Sequence, residues 1–118
     1  MRTLFVDDEK EPDWYGLDAD TLDIAKTYKE AEELIKSNAY DIMYLDHDLG
    51  TVKNDGSMLL RLYMTFHTNE PPKQVFCVSW NPVGVERIKY ACRDYNIPFE
   101  SIGNKVFDHF KIIDGQSE

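Results

Sequence analysis

Three short apolar runs stop abruptly at polar residues. Leu4-Phe5-Val6 ends at Asp7-Asp8, Ile42-Met43-Tyr44-Leu45 at Asp46, and Val75-Phe76-Cys77-Val78 at Ser79. None alternates strictly between apolar and polar positions. Runs of this length and pattern read as parallel strands covered on both faces. Between and after them lie segments of helical period. Thr27 opens a helix with Glu30 three residues on, the spacing of a capping box, and Tyr28, Ala31, Leu34 and Ile35 share its apolar face as far as Ser37-Asn38. A second helix follows Asp55-Gly56-Ser57 with a stripe of Leu59, Leu62, Tyr63 and Phe66, and Pro71-Pro72 breaks the chain after it. A third starts at Asn81-Pro82, cap then first helical position, and carries Val85, Ile88, Cys92 and Tyr95 up to Pro98.

Weaker signals complete the pattern. Leu22, Ile24 and Ala25 read as a short strand, Phe99 to Ile102 as another, and residues 104–112 as a last helix with Val106, Phe107 and Phe110 inward. Residues 9–20 carry Pro12 and Gly16 and read as a loop, with Trp14, Tyr15 and Leu17 over one edge of the core. The alternation predicts a small doubly wound α/β domain, five parallel strands in the order 2-1-3-4-5, flavodoxin-like, with the first connecting helix lost. Residues 1–113 form a single domain and 114–118 a polar tail.

Charge narrows the function. The 118 residues carry a net −9, and residues 1–59 hold all of it, with 15 acidic and 6 basic side chains. An acidic field of this kind argues against duplex nucleic acid, whose phosphates need many cations. No apolar run is long enough to span a membrane, and the stretch after Met1 is too short for a signal peptide. Cys77 and Cys92 match no zinc or redox spacing, which points to the cytoplasm.

In an open parallel sheet ligands bind beyond the carboxyl ends of the strands. Those ends here carry Asp7-Asp8, Asp46-His47-Asp48 and Ser79-Trp80-Asn81, with Asn104-Lys105 after the last strand. Clustered carboxylates repel, and an oxygen-only donor set suits Mg²⁺, with Mn²⁺ as a substitute. Asp7, Asp8 and Asp46 are therefore the expected metal ligands. His47, between two carboxylates, is either a titrating catalytic group or a solvated loop residue. Ser79, Asn81 and Lys105 are the expected phosphate contacts; Ser79 could equally satisfy a strand-end carbonyl, and Asn81 could be simply a helix cap. Trp80 either stacks on a base or packs on the helix that follows.

These residues form a pattern that resembles response-regulator receiver domains: an acidic pair after the first strand, Asp46 after the third, Ser79 after the fourth and Lys105 near the fifth. In receivers the three acidic residues hold Mg²⁺, and the residue corresponding to Asp46 accepts a phosphoryl group. The chain departs from them in the 9–20 loop, in Val106 after Lys105, and in His47-Asp48-Leu49-Gly50 after Asp46. Leu45-Asp46-His47-Asp48-Leu49-Gly50 resembles instead the hallmark of the cyclic-phosphate-processing receiver domains. Ser79-Trp80-Asn81-Pro82-Val83-Gly84 is similar to that family's second motif, with Val78 where the family has a histidine.

The resemblance implies a Mg²⁺- or Mn²⁺-dependent phosphoesterase acting on a cyclic phosphate, either a nucleotide or an RNA 2′,3′-cyclic end. His47 would be its general base or acid, Asp48 would orient His47 or complete the metal shell, and Asp46 would be a ligand or reacting carboxylate. Two other readings accompany it. One is a non-catalytic binding module, an inhibitor or adaptor that offers its acidic face to a basic protein. The other is a phospho-accepting regulator modified at Asp46.

Overall fold

The computed structural model describes residues 1–49 and 55–103. The expected helix at 104–112, Lys105 and the 114–118 tail lie outside these residues. Five parallel strands pair in the order β2-β1-β3-β4-β5. They are β1 (Thr3–Val6), β2 (Asp23–Ala25), β3 (Ile42–Leu45), β4 (Gln74–Cys77) and β5 (Phe99–Ser101). The helices among the described residues are α1 (Tyr28–Ser37), α2 (Gly56–Phe66) and α3 (Pro82–Asp94). This is the flavodoxin-like and receiver-like order that the sequence predicts.

The 9–20 segment holds two short 3₁₀ turns, Pro12–Tyr15 and Ala19–Thr21, where a doubly wound fold would have its first helix. Pro12 enters the first turn and Gly16, at φ 77°, closes it in the left-handed region. That conformation favours glycine and prevents the turn from growing into a helix.

Side chains of successive strand residues point to opposite faces, and this divides the core in two. Leu4, Val6, Met43, Leu45, Val75 and Cys77 form an aliphatic face. All three helices pack on it, through Ala31 and Ile35, Leu59, Leu60, Tyr63 and Met64, and Ile88, Ala91 and Cys92. The α2 stripe differs from the expected one by a small rotation: Leu60 and Met64 turn inward, and Phe66 is 50% exposed. The opposite face is aromatic. Phe5, Tyr44 and Phe76 line up across β1, β3 and β4, with ring centroids 5.9 and 4.8 Å apart. Tyr15, Leu17 and Leu22 from the helix-less segment cover part of it, beside Val78 and Ile102.

Caps set the helix starts. Thr27 Oγ1 accepts the Glu30 N–H, Asp55 Oδ1 the Met58 N–H, and Asn81 Oδ1 the Val83 N–H. The Glu30 carboxylate takes the Thr27 hydroxyl, so only half of the reciprocal box forms. β4 ends at Cys77, two residues before Ser79. Val78 still donates its N–H to Leu45 O at 2.9 Å, but its side chain is fully buried on the aromatic face.

Candidate functional site

The chain leaves β1 for β2 on one side and later returns to place β3 on the other, which opens a crevice beyond the carboxyl ends of β1 and β3. Val6 and Leu45 are register partners, so the residues that follow them, Asp7 and Asp46, emerge side by side. Carboxylate oxygens of Asp7, Asp8 and Asp46 all lie within 4.8 Å of one another. Asp7 and Asp46 are buried, and Asp8 is exposed at the rim.

Each buried carboxylate has one oxygen committed to the backbone. Asp7 Oδ1 accepts the N–H groups of Glu9 and Lys10 at 2.9 and 3.0 Å, and Asp46 Oδ1 accepts the His47 N–H at 2.9 Å. Both Oδ2 atoms face Lys10 Nζ, at 3.0 Å from Asp7 and 3.9 Å from Asp46. Asp7 Oδ2 is buried and receives no hydrogen bond; its nearest cation, Lys10 Nζ, stands 3.0 Å away but off a hydrogen-bonding direction. Burial pushes the Asp46 carboxyl up to about 7; Asp7 pushes the same way, and Lys10 and the His47 N–H oppose it. Two neighbouring buried carboxylates, with a third at the rim, fit an oxygen-liganded divalent cation.

Asp8, Asp46, Asp48 and Asn81 line one cleft of about 160 Å³, together with Glu9, Lys10 and Trp80. This volume is smaller than that of pockets which enclose a whole small ligand, which are several hundred Å³. Asn81 divides its polar groups: its side chain caps α3, while its backbone N–H donates to Ser79 Oγ at 3.1 Å. Ser79 is buried behind this bond and does not line the cleft. Trp80 is 45% exposed, with its indole N–H on Gly103 O at 2.8 Å and Lys10 Nζ 4.6 Å from its ring centroid. Lys105 lies outside the described residues.

His47 is packed rather than presented. Its Nδ1 is 3.1 Å from Asp48 Oδ1 and its Nε2 3.4 Å from Asp55 Oδ2, and that Nε2 is buried. Asp55 is also approached by Arg87 at 3.8 Å. The backbone is held as well, by Gly56 N–H on His47 O at 3.2 Å and a bridge between Asp48 and Asp55. The ring does not line the cleft; Asp48, whose side chain is 67% exposed, does.

The two sequence motifs touch at a glycine. A Cβ on Gly84 would lie 2.4 Å from Cβ and Cγ of His47, closer than any side chain tolerates. Gly84 in the first turn of α3 thus permits His47 to pack under that helix.

Lys10 escaped the sequence reading. It is 5% exposed and joins the acidic site, where its Nζ lies 3.0 Å from Asp7 Oδ2 and 3.9 Å from Asp46 Oδ2. The available signal was its place as the single cation in the run Asp7 to Asp13, three residues after an aspartate that caps its own loop.

The structure is similar to several receiver domains. A CheY-like response regulator receiver domain protein from Methanospirillum hungatei aligns with a TM-score of 0.59 and 15% identity, covering 98% of this chain and 91% of that one. The N-terminal domain of an uncharacterized Wolinella succinogenes protein gives 0.61 and 16%, covering 100% and 99%. NtrX from Brucella abortus, in complex with ADP, gives 0.62 and 23%, covering 96% of this chain and 26% of that one. At these identities the likeness concerns the fold. No curated protein matches the sequence. A family model described as the cyclic-phosphate processing Receiver domain matches residues 2–94. With that match over most of its length, the chain belongs to the cyclic-phosphate processing receiver domain family.

Proposed function

We propose that this domain binds a divalent cation, Mg²⁺ or Mn²⁺, through Asp7, Asp8 and Asp46 and opens a cyclic phosphate, either of a nucleotide or at an RNA 2′,3′-cyclic end. The observation that carries the reading is the clustering of Asp7, Asp8 and Asp46, in which the buried Asp7 Oδ2 receives no hydrogen bond and Asp8 and Asp46 line a small cleft. Membership of the family supplies the substrate class. When bound, the cation neutralises phosphate charge and polarises the P–O bonds.

The chain's own groups have separate tasks. Asn81 lines the cleft beside the phosphoryl position, Ser79 fixes the Asn81 backbone, and Lys105 is the proposed cation for the remaining phosphate oxygens. Asp48 faces the cleft with His47 Nδ1 on its carboxylate. This pair takes a proton from water as its oxygen bonds to phosphorus, while the bond to one ribose oxygen breaks and that oxygen is protonated to the free hydroxyl. His47 orients Asp48 and shares the proton, with Asp55 on its far side.

The test is turnover of a 2′,3′-cyclic mononucleotide and of a cyclic-ended oligoribonucleotide, with Mg²⁺ or Mn²⁺, followed by phosphorus NMR. His47→Ala should lose about 10²-fold or more, the scale of a lost acid–base group, and Asp46→Asn should abolish metal binding and activity together. Absence of turnover by folded, metal-loaded protein overturns the enzymatic reading in favour of a binding module that uses the acidic face. A phosphoacceptor reading also has support, because Asp46 lines the cleft on a receiver-like scaffold. Incubation with acetyl phosphate and intact-mass measurement separates it from hydrolysis.

A further inference from the structure

The acidic site carries a cation of its own. Lysine is almost never buried unless paired, and the Lys10 side chain is 6% exposed. Its location follows from the loop: Asp7 Oδ1 accepts the Glu9 and Lys10 N–H groups, which turns the chain back and brings the Lys10 side chain over Asp7. The ammonium then lies 3.0 Å from Asp7 Oδ2, 3.9 Å from Asp46 Oδ2 and 4.6 Å from the centre of the Trp80 ring. The other oxygen of each carboxylate is occupied by backbone N–H groups. With Asp7 Oδ1 already accepting two N–H groups, a divalent cation at the Asp7, Asp8 and Asp46 cluster draws on Asp7 Oδ2 and on the carboxylates that Lys10 already faces. Two cations cannot share them without strong mutual repulsion.

We propose that Lys10 is a resident counter-cation that a divalent metal must displace, so that Lys10 sets the affinity and charge selectivity of the site. The proposal rests on the metal reading given above. Its logic is charge. With all three carboxylates ionised, as metal binding requires, the one ammonium leaves the site two charges negative. Replacing the ammonium by Na⁺ or K⁺ changes nothing, whereas a divalent ion brings the site one charge nearer neutrality. Lys10 thus acts as a filter against monovalent ions, and the displaced ammonium remains on the wall of the cleft that it lines.

Calorimetric titration of MgCl₂ and MnCl₂ into the protein and its Lys10→Met variant is the test. The variant should bind each metal about tenfold or more tightly, the size of effect that one neighbouring charge has on an ionisation equilibrium. Equal or weaker binding by the variant overturns the displacement. If the variant does not fold, the unaltered protein answers the question through reductive methylation of Lys10, followed by peptide mass spectrometry. Saturating Mg²⁺ should accelerate modification of Lys10 severalfold, and KCl at the same ionic strength should not. A Lys10 rate unchanged by a metal that binds in the calorimeter overturns the displacement and leaves the metal reading standing. Failure of both proteins to bind either metal overturns the metal reading and this proposal with it.

Discussion

Asp46 is the residue at which burial and charge conflict most directly. Its carboxyl is pushed from an ordinary 3.8 up to about 7, first by burial and then by Asp7. Between those two values the folded protein holds a proton that the unfolded chain has released. Stability of the metal-free protein should therefore fall as pH rises from about 4 to about 7, and level off above that. Urea denaturation in EDTA at pH 5 and pH 8 measures this directly. Asp46→Asn should flatten the slope and leave the metal-free protein more stable than the unaltered one at pH 8. A divalent ion needs the ionised carboxylate, so Mg²⁺ affinity in the unaltered protein should climb through the same range. A slope that survives Asp46→Asn would assign the proton elsewhere.

At the scale of elements, the site is an agreement between a strand end and a helix start. The segment after β3 places His47 between Asp48 and Asp55, and the first turn of α3 closes over it at Gly84. Gly84→Ala would drive a methyl group to 2.4 Å from Cβ and Cγ of His47. Neither the helix backbone nor the pinned loop yields easily, so the variant should lose about 1–3 kcal/mol of stability, the usual cost of overpacking. The His47 NMR signals should shift with it. A variant of unchanged stability and unchanged His47 resonances would show that α3 retreats freely. The caps were readable in advance because a cap is a local event: Thr27, Asp55 and Asn81 each accept an N–H within three residues. The exact stripe of α2 was not, because Leu60 and Phe66 are sorted by which neighbour the helix leans on. Here α2 packs between α1 and α3 over the aliphatic face of the sheet.

For the whole molecule, the two faces of the sheet do different work. The aliphatic face and its three helices bury both thiols, and burial pushes Cys77 up to about 11 and Cys92 up to about 12. Neither should react with a disulfide reagent at pH 8 in the native state. Their labelling should instead track global unfolding across a urea series, and fast labelling in native buffer would reveal local opening of the β4–α3 layer. No helix among the described residues is long and apolar enough to cross a membrane. The aromatic face, with Phe5, Tyr44 and Phe76, is covered in part by a segment without a regular helix, through Tyr15, Leu17 and Leu22.

The order of the elements as far as β5, the strand-end aspartates and the family motifs were legible along the chain, because periodicity, caps and breakers act over a few residues. Asp7, Asp8 and Asp46 could be grouped from the strand-end rule alone, since adjacent parallel strands in register must deliver their following residues to one edge. What no linear reading supplies is the direction of each side chain. Val78 turned into the aromatic core, His47 turned under α3, Asp48 kept the cleft, and Lys10 folded inward to face two carboxylates. Those outcomes depend on contacts across tens of residues and on the balance of burial against charge, which exists only once the chain has closed on itself.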